Sequence, residues 1–305
     1  MRPPLPPTPR HPAVAAAAVL TAAALLAGCG SRAVGAADGS SAHGSAGPCG
    51  ALLTPAPASS APGALARDGV RITAANGACA DFEVTNGAAE TSDFTILFSP
   101  LDRAGGVPGH LTQTVEAVAP GATVKGRLTL PSHGPAEPAV GPALAIAKVR
   151  SVPSAEAPKP DGACPASGLR VYADEGDAAM GLRVVGLHLR NCGAAPVALD
   201  GYPRLQLLDL DHRPVDGVEL LSGGAAIASG TGADDPPRPF TLHPGDGARA
   251  TLAWRNTTTT GTPVTAPYLR VRPTPDAAPV MVTPELDLGT TARLGVGAWI
   301  PEPAR

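Results

Sequence analysis

Aromatic side chains make up only 3% of this 305-residue chain, and its 23 basic residues include just three lysines, Lys125, Lys148 and Lys159. Any core must therefore be assembled from Val, Leu, Ile and Ala rather than from large rings. Charged residues amount to 16% and the formal net charge is −3, so no basic face is expected for nucleic acid. The familiar catalytic signatures are missing too: there is no G-x-S-x-G elbow, H-E-x-x-H pair, Walker loop or dinucleotide fingerprint. We expect a protein that is not an enzyme and holds no cofactor. After residue 28 no apolar run is long enough to cross a bilayer, since Ala139 to Val149 is interrupted by Pro142. No helical stripe follows the first segment either.

What is present begins at the N-terminus. Arg2 and Arg10 precede an apolar core from Ala13 to Leu26, and the small residues of Leu26-Ala27-Gly28-Cys29 follow. These are the three parts of a secretory signal, with a core shorter than the ~20 apolar residues of a spanning helix. The pattern resembles the cleavage box of bacterial lipoproteins. That resemblance implies a diacylglyceryl group on the Cys29 sulfur, cleavage after residue 28, and a chain anchored on the extracytoplasmic face of the cell membrane. Two acyl chains hold stably because each buried methylene contributes about 0.8 kcal/mol. A non-lipidated secretory signal is the alternative. Loss of residues 1–28 takes the formal charge from −3 to −5. The scarcity of lysine beside arginine resembles the codon bias of a GC-rich actinobacterium.

With Cys29 committed to lipid, Cys49, Cys79, Cys164 and Cys192 remain. An even number outside the cytoplasm points to disulfides, and four cysteines allow three connectivities. The pairing Cys49–Cys79 with Cys164–Cys192 is favoured, because each bridge then closes a loop within one half and contributes roughly 3 to 4 kcal/mol. Zinc is the competing reading, but no CxxC or paired-His spacing accompanies the cysteines. Residues 29–48 are Gly, Ser and Ala in the main, a flexible tether with an r.m.s. reach of about 25 Å. Residues 151–162 carry Pro153, Pro158 and Pro160 and read as an interdomain linker between a domain at 49–150 and another at 163–305.

The two domains resemble each other in order and turn chemistry. Val70-Arg71-Ile72, Phe82 to Gly87, Phe94 to Phe98, a turn at Leu101 to Gly106, and Ala119-Pro120-Gly121 before Thr123 to Leu130 run through the first. Leu169-Arg170-Val171, Leu187 to Gly193, Leu205 to Leu208, a turn at Leu210 to Pro214, and His243-Pro244-Gly245 before Ala248 to Trp254 run through the second. Period-two alternation, as in Phe82/Val84 and Val185/Leu187/Leu189, marks half-buried strands, and Asn-Gly and Pro-Gly punctuation favours antiparallel hairpins. The expected fold is all-β: two tandem antiparallel immunoglobulin-like β-sandwich domains following the lipoprotein signal peptide and flexible tether.

Within the second domain, Ala163-Cys164-Pro165, Leu169-Arg170-Val171, Leu187-His188-Leu189-Arg190-Asn191-Cys192, Leu199-Asp200-Gly201-Tyr202-Pro203, the turn at Asp211, Leu242-His243-Pro244-Gly245 and Leu269-Arg270-Val271-Arg272-Pro273 form an ordered series. From about Cys164 to Pro301 this resembles the actinobacterial domain-of-unknown-function family 4232. The resemblance implies an exported, β-rich domain with no assigned chemistry. A further cysteine pair of the family's last third has no counterpart here, where Asn256-Thr257-Thr258-Thr259-Thr260-Gly261 stands.

Candidate chemistry is sparse. Asp209, Asp211, His212 and Asp216 suggest a metal site, yet their spacing departs from the EF-hand and an Asp-rich hairpin turn explains them. Seven histidines are scattered, and Met180 and Met281 are not grouped with them, so no metal site is expected. Tyr202, Trp254, Tyr268 and Trp299 are the candidate binding residues: grouped on a surface they would stack on cell-wall sugars or anchor a partner protein. The competing reading is that they fill a core, with Tyr202 tying a loop as a tyrosine corner does. Thr257 to Thr260 read as an exposed loop or an acceptor for O-glycosylation. The expected role is a non-enzymatic binding or interaction module at the cell envelope, held by its lipid and meeting an envelope protein or glycan; a metal or small-ligand carrier is the alternative.

Overall fold

The structure, a computed structural model, describes residue 49 and residues 65–76, 78–101, 106–130 and 143–302. The signal at 1–28, Cys29, the tether to residue 48, His133 and Asp102 to Gly105 of the first expected turn lie outside the described residues. Every regular element among the described residues is a strand, and Ala46–Arg305 form one compact unit.

The first half contributes β1 (Ala66–Arg67), β2 (Val70–Ala75), β3 (Cys79–Thr85), β4 (Ser92–Leu101), β5 (Leu111–Val118), β6 (Thr123–Thr129) and β7 (Ala143–Pro153). They form an antiparallel sheet in the order β1-β2-β3-β6 and another in the order β5-β4-β7. Alternation sends Ile72, Phe82, Val84 and Leu128 from one sheet against Phe94, Ile96, Phe98 and Ile146 from the other. Phe82 and Phe98 meet across this core with ring centroids 5.2 Å apart. Opposite Phe82 in the sheet lies Gly126, where any Cβ would collide with the ring.

The second half contributes β8 (Leu169–Ala173), β9 (Asp177–Ala179), β10 (Leu182–Asn191), β11 (Val197–Leu199), β12 (Arg204–Leu208), β13 (Glu219–Ser222), β14 (Phe240–Leu242), β15 (Gly247–Arg255), β16 (Val264–Ala266), β17 (Tyr268–Arg272), β18 (Val280–Val282), β19 (Leu286–Gly289), β20 (Arg293–Val296) and β21 (Ile300–Glu302). Its large sheet follows the path β13-β20-β15-β10-β8, with β21 beside β15 and β9 beside β10, and β13–β20 pair in parallel. The facing sheet runs β12-β17-β18. Val185, Leu187, Leu189, Ala250 and Leu252 meet Leu207, Leu269, Val271 and Val282 in the core between them. The set β2-β3-β6 with β4-β7 thus recurs as β8-β10-β15 with β12-β17, an all-β, sandwich-like arrangement compatible with the immunoglobulin-like expectation.

The recurrence extends to single hydrogen bonds. Asn86, 1% exposed, donates through Nδ2 to the carbonyls of Glu90 and Val118, both at 2.8 Å, while its Oδ1 accepts from Ala88 N–H at 2.8 Å. Its own carbonyl accepts from Gly121 N–H and its N–H donates to Ala122 O. Asn191, also 1% exposed, repeats each of these bonds with Ala195, Leu242, Gly193, Gly245 and Asp246. Gly121 and Gly245 hold the Pro-Gly turns at φ +69° and +90°, a region where a side chain is strained. One asparagine in each half therefore locks the strand end carrying it to the turn before β6 or β15.

Both favoured disulfides are formed, Cys49–Cys79 and Cys164–Cys192, with Cα separations of 5.6 and 5.7 Å. Asp81 adds a second tie to Cys49, accepting its N–H at 3.0 Å while Arg127 Nε donates to the same carboxylate at 2.7 Å. The Arg127 guanidinium first, and the Cys49 N–H second, hold the Asp81 carboxyl below the usual carboxylate range.

Composition alone reads 151–162 as a linker, whereas β7 runs on to Pro153 in register with Ser92, and Ser154 N–H donates to Thr91 O at 2.9 Å. The strand continues because Val152, 7% exposed, packs against the second half and rewards the extension.

Asn86→Ala and Asn191→Ala each remove three side-chain hydrogen bonds, among them the one donated to the buried carbonyl of Val118 or Leu242, at about 0.5 to 1.5 kcal/mol per bond. Urea titration should show each variant less stable by about 2 to 4 kcal/mol; a loss near zero at either position would contradict the equivalence of the two hubs.

Candidate functional site

Where β7 meets the second half, a cleft of about 610 Å³ opens, and its walls come from both halves. Arg150 of β7 enters from the first. Glu175 and Asp177, before and on β9, line it with Arg183 of β10 and with Glu285 and Asp287 flanking the start of β19, while Val185, Trp254, Pro267 and Leu286 give an apolar floor.

Charge in the cleft is largely paired. Arg150 makes a two-point contact with Glu285, Nε and Nη2 each 2.7 Å from a carboxylate oxygen, and Lys148 reaches the same carboxylate at 3.4 Å. Asp287 accepts from Trp254 Nε1 at 2.7 Å and from Asn256 Nδ2 at 3.0 Å, with Arg183 3.7 Å away. Glu175 and Asp177 are exposed and have no ion-pair partner among the described residues. The rim is therefore acidic, above an apolar base.

A small apolar seam closes the junction beside the cleft. Val152 packs on Leu208, Tyr268 and Met281, all 7% exposed or less. The Tyr268 hydroxyl accepts from Ser151 N–H at 3.2 Å, and the Arg150 guanidinium lies 5.8 Å from the ring centroid. Burial pushes the Tyr268 phenol above the usual tyrosine range, against the opposing effect of the Ser151 hydrogen bond. The residues between the strands are docked on both sides: Glu156 holds Arg270 at 2.7 Å and gives its carbonyl to Met281 N–H, while Lys159 lies 3.7 Å from Asp93 and 3.5 Å from Glu116.

The candidate aromatic residues are not a surface platform. Trp254, Tyr268 and Trp299 are 2%, 3% and 1% exposed, and Tyr202 is half-buried against the same core. A chain this poor in rings places them where they exclude most water. Trp299 donates to Pro273 O at 3.1 Å, and no hydrogen bond of the Tyr202 hydroxyl is found among the described residues, so the tyrosine-corner bond is not formed there. Only Trp254 touches the cleft.

Asp209, Asp211 and His212 form the hairpin turn. Asp209 Oδ1 accepts the N–H groups of Asp211 at 2.9 Å and Arg213 at 2.8 Å, Asp211 pairs with Arg213, and the His212 ring meets Tyr268 edge-on at 4.5 Å. Among the described residues no group of three or more His, Cys, Asp or Glu is arranged to hold a metal ion. Three polar contacts at two places escaped sequence reasoning. Ser99 Oγ lies 2.9 Å from His110 Nδ1, and His188 sits between Glu302 at 2.8 Å and Asp174 at 3.2 Å, stacked on Tyr172. Gly186 makes room for the Asp174 carboxylate, a glycine inside a strand being the available clue.

Residues 164–300 match the family described as Domain of unknown function (DUF4232). No curated protein and no solved structure matches the chain.

A double-mutant cycle with Arg150→Met and Glu285→Gln should return a coupling of about 1 to 2 kcal/mol in thermal or urea unfolding, and additivity would remove the pair as a junction clamp. A phenol whose folded value is raised contributes stability that is whole below the ordinary tyrosine range and is lost as pH climbs through the raised one. Ultraviolet difference titration should accordingly find one of the three tyrosines ionising late, and Tyr268→Phe should abolish that phase; three tyrosines titrating together would contradict the burial.

Proposed function

We propose, for a chain whose residues 164–300 match the family described as Domain of unknown function (DUF4232), a non-catalytic binding module anchored by lipid on the extracytoplasmic face of the cell membrane. The observation that carries this reading is the pair of disulfides, one in each half, behind a leader that ends in Leu26-Ala27-Gly28-Cys29. Disulfides persist outside the reducing cytoplasm, and a signal ending in such a box supplies the route there. Residues 29–48 then carry the folded unit away from the bilayer on a Gly/Ser/Ala tether.

The binding surface in this reading is the junction cleft with the faces around it. Its lining holds one hydroxyl, Thr265, and no cysteine, histidine or serine, which supports recognition over nucleophilic chemistry. A preformed surface on a body of two braced sheet pairs loses little freedom when a partner docks. An envelope protein or glycan is the occupant in this reading. The second reading, a small-ligand carrier, is favoured by the cleft's volume of about 610 Å³, within the usual range for such sites.

Cys29→Ser should abolish lipid attachment and leave the leader uncleaved at residue 28. Mass spectrometry of the native protein should find a diacylglyceryl-modified Cys29 at the mature N-terminus. An unmodified residue 29, or a Cys29→Ser variant processed as the wild type is, would overturn the anchoring.

A further inference from the structure

The outer face of β12 and β17 changes character along its length. Near the junction Leu208 pairs with Tyr268 beneath Val152; next come Gln206 and Arg270; last come Arg204 and Arg272, directly opposite one another. Side chains two apart on a strand share a face, so three guanidinium groups line one strip of sheet. Like charges set opposite each other across antiparallel strands destabilise the pairing.

The strip is only partly neutralised. Glu156 Oε2 accepts from Arg270 Nε at 2.7 Å, and Gln206 Oε1 accepts from Arg270 Nη1 at 3.0 Å. Arg272 Nη1 donates to the Ala277 carbonyl at 2.8 Å, a neutral partner that leaves its charge unanswered. The exposed Arg204 side chain has no hydrogen bond or ion pair among the described residues. One carboxylate thus faces three arginines in a groove of about 330 Å³ walled by Leu205 and Pro279, on a chain whose net charge is −3.

We propose that this groove is a binding site for a phosphate group, held between Arg204 and Arg272. The planar five-donor fork of arginine matches the oxygens of phosphate in two-point contacts. Two forks approaching from adjacent strands suit a tetrahedral group better than a carboxylate, whose two oxygens are used up by one fork. Bound phosphate converts a repelling cross-strand pair into two charge-assisted contacts, with Arg270 and Glu156 fixing the inner end of the groove. The site is independent of the lipid anchor, so failure of either reading leaves the other standing.

The test is calorimetric titration of inorganic phosphate into the full chain in non-ionic detergent, with ionic strength held constant by sodium chloride. Saturable one-to-one binding is expected, weakened about tenfold or more in Arg204→Gln and Arg272→Gln and unchanged in Arg190→Gln on the other sheet. In phosphate-free buffer Arg204→Gln should melt above the wild type, because the repulsion is gone, and saturating phosphate should reverse that order. Competition by glycerol phosphate alone assigns a soluble phosphoester as the natural ligand, whereas competition by anionic phospholipid vesicles assigns a lipid headgroup. Phosphate heats no greater than the chloride control, binding undiminished in both variants, or an Arg204→Gln variant that melts below wild type in both buffers would each overturn the proposal.

Discussion

Three neighbouring strands each carry two consecutive buried apolar residues, Leu207-Leu208 on β12, Tyr268-Leu269 on β17 and Met281-Val282 on β18. Successive side chains on a strand point to opposite faces, so this sheet needs cover on both sides. Leu207, Leu269 and Val282 face the core of their own half, while Leu208, Tyr268 and Met281 require something from outside it, and Val152 at the end of β7 supplies it. Each fully buried side chain of this size is worth about 1.5 to 3 kcal/mol, against ~1 kcal/mol or less for an exposed ion pair. The apolar seam accordingly supplies most of the attraction at the junction. Arg150–Glu285 and Arg270–Glu156 orient it.

The same asymmetry places both candidate binding surfaces. On one side of the seam, Arg150 and Glu285 form a wall of the acidic cleft. On the other, the sheet face that the first half leaves uncovered ends in Arg204 and Arg272. An acidic cleft and a basic groove thus lie on either side of one apolar contact, and a chain of nearly balanced charge presents two surfaces of opposite sign. Net charge, counted from the sequence, gave no hint of the second: the arginines are spread over residues 204–272 and gather only when β12 pairs with β17.

Much of the fold was legible in the sequence. Period-two alternation located β2, β3, β4, β6, β8, β10, β12 and β15, and the matched Asn and Pro-Gly signals turned out to be the ends of one hydrogen-bond set used twice. The disulfides divide the halves: Cys79 opens β3, whereas Cys192 follows the end of β10, the opposite end of the matching strand. The bridges therefore have similar loop lengths without equivalent positions. Strand β5 was not legible, because Thr112, Gln113, Thr114 and Glu116 present a polar sequence at an exposed sheet edge. Prolines marked 151–162 as an interdomain linker, and the structure adds that Pro153 closes a strand and that Glu156 and Lys159 are tied to opposite halves. The doubled apolar dipeptides were the signal that a second face was covered. Of the two readings of the rings, surface platform or core, the core one holds: where rings are few they fill cores, which is why Trp254 and Trp299 are buried.

Two β-sheet pairs braced across one seam behave as a single body, and the placement of both surfaces depends on that. Nitrogen-15 relaxation across the folded region measures it most directly. A common rotational correlation time and one diffusion tensor for residues of both halves are the result this account predicts. Two separate correlation times, each that of an independently tumbling half, would contradict it.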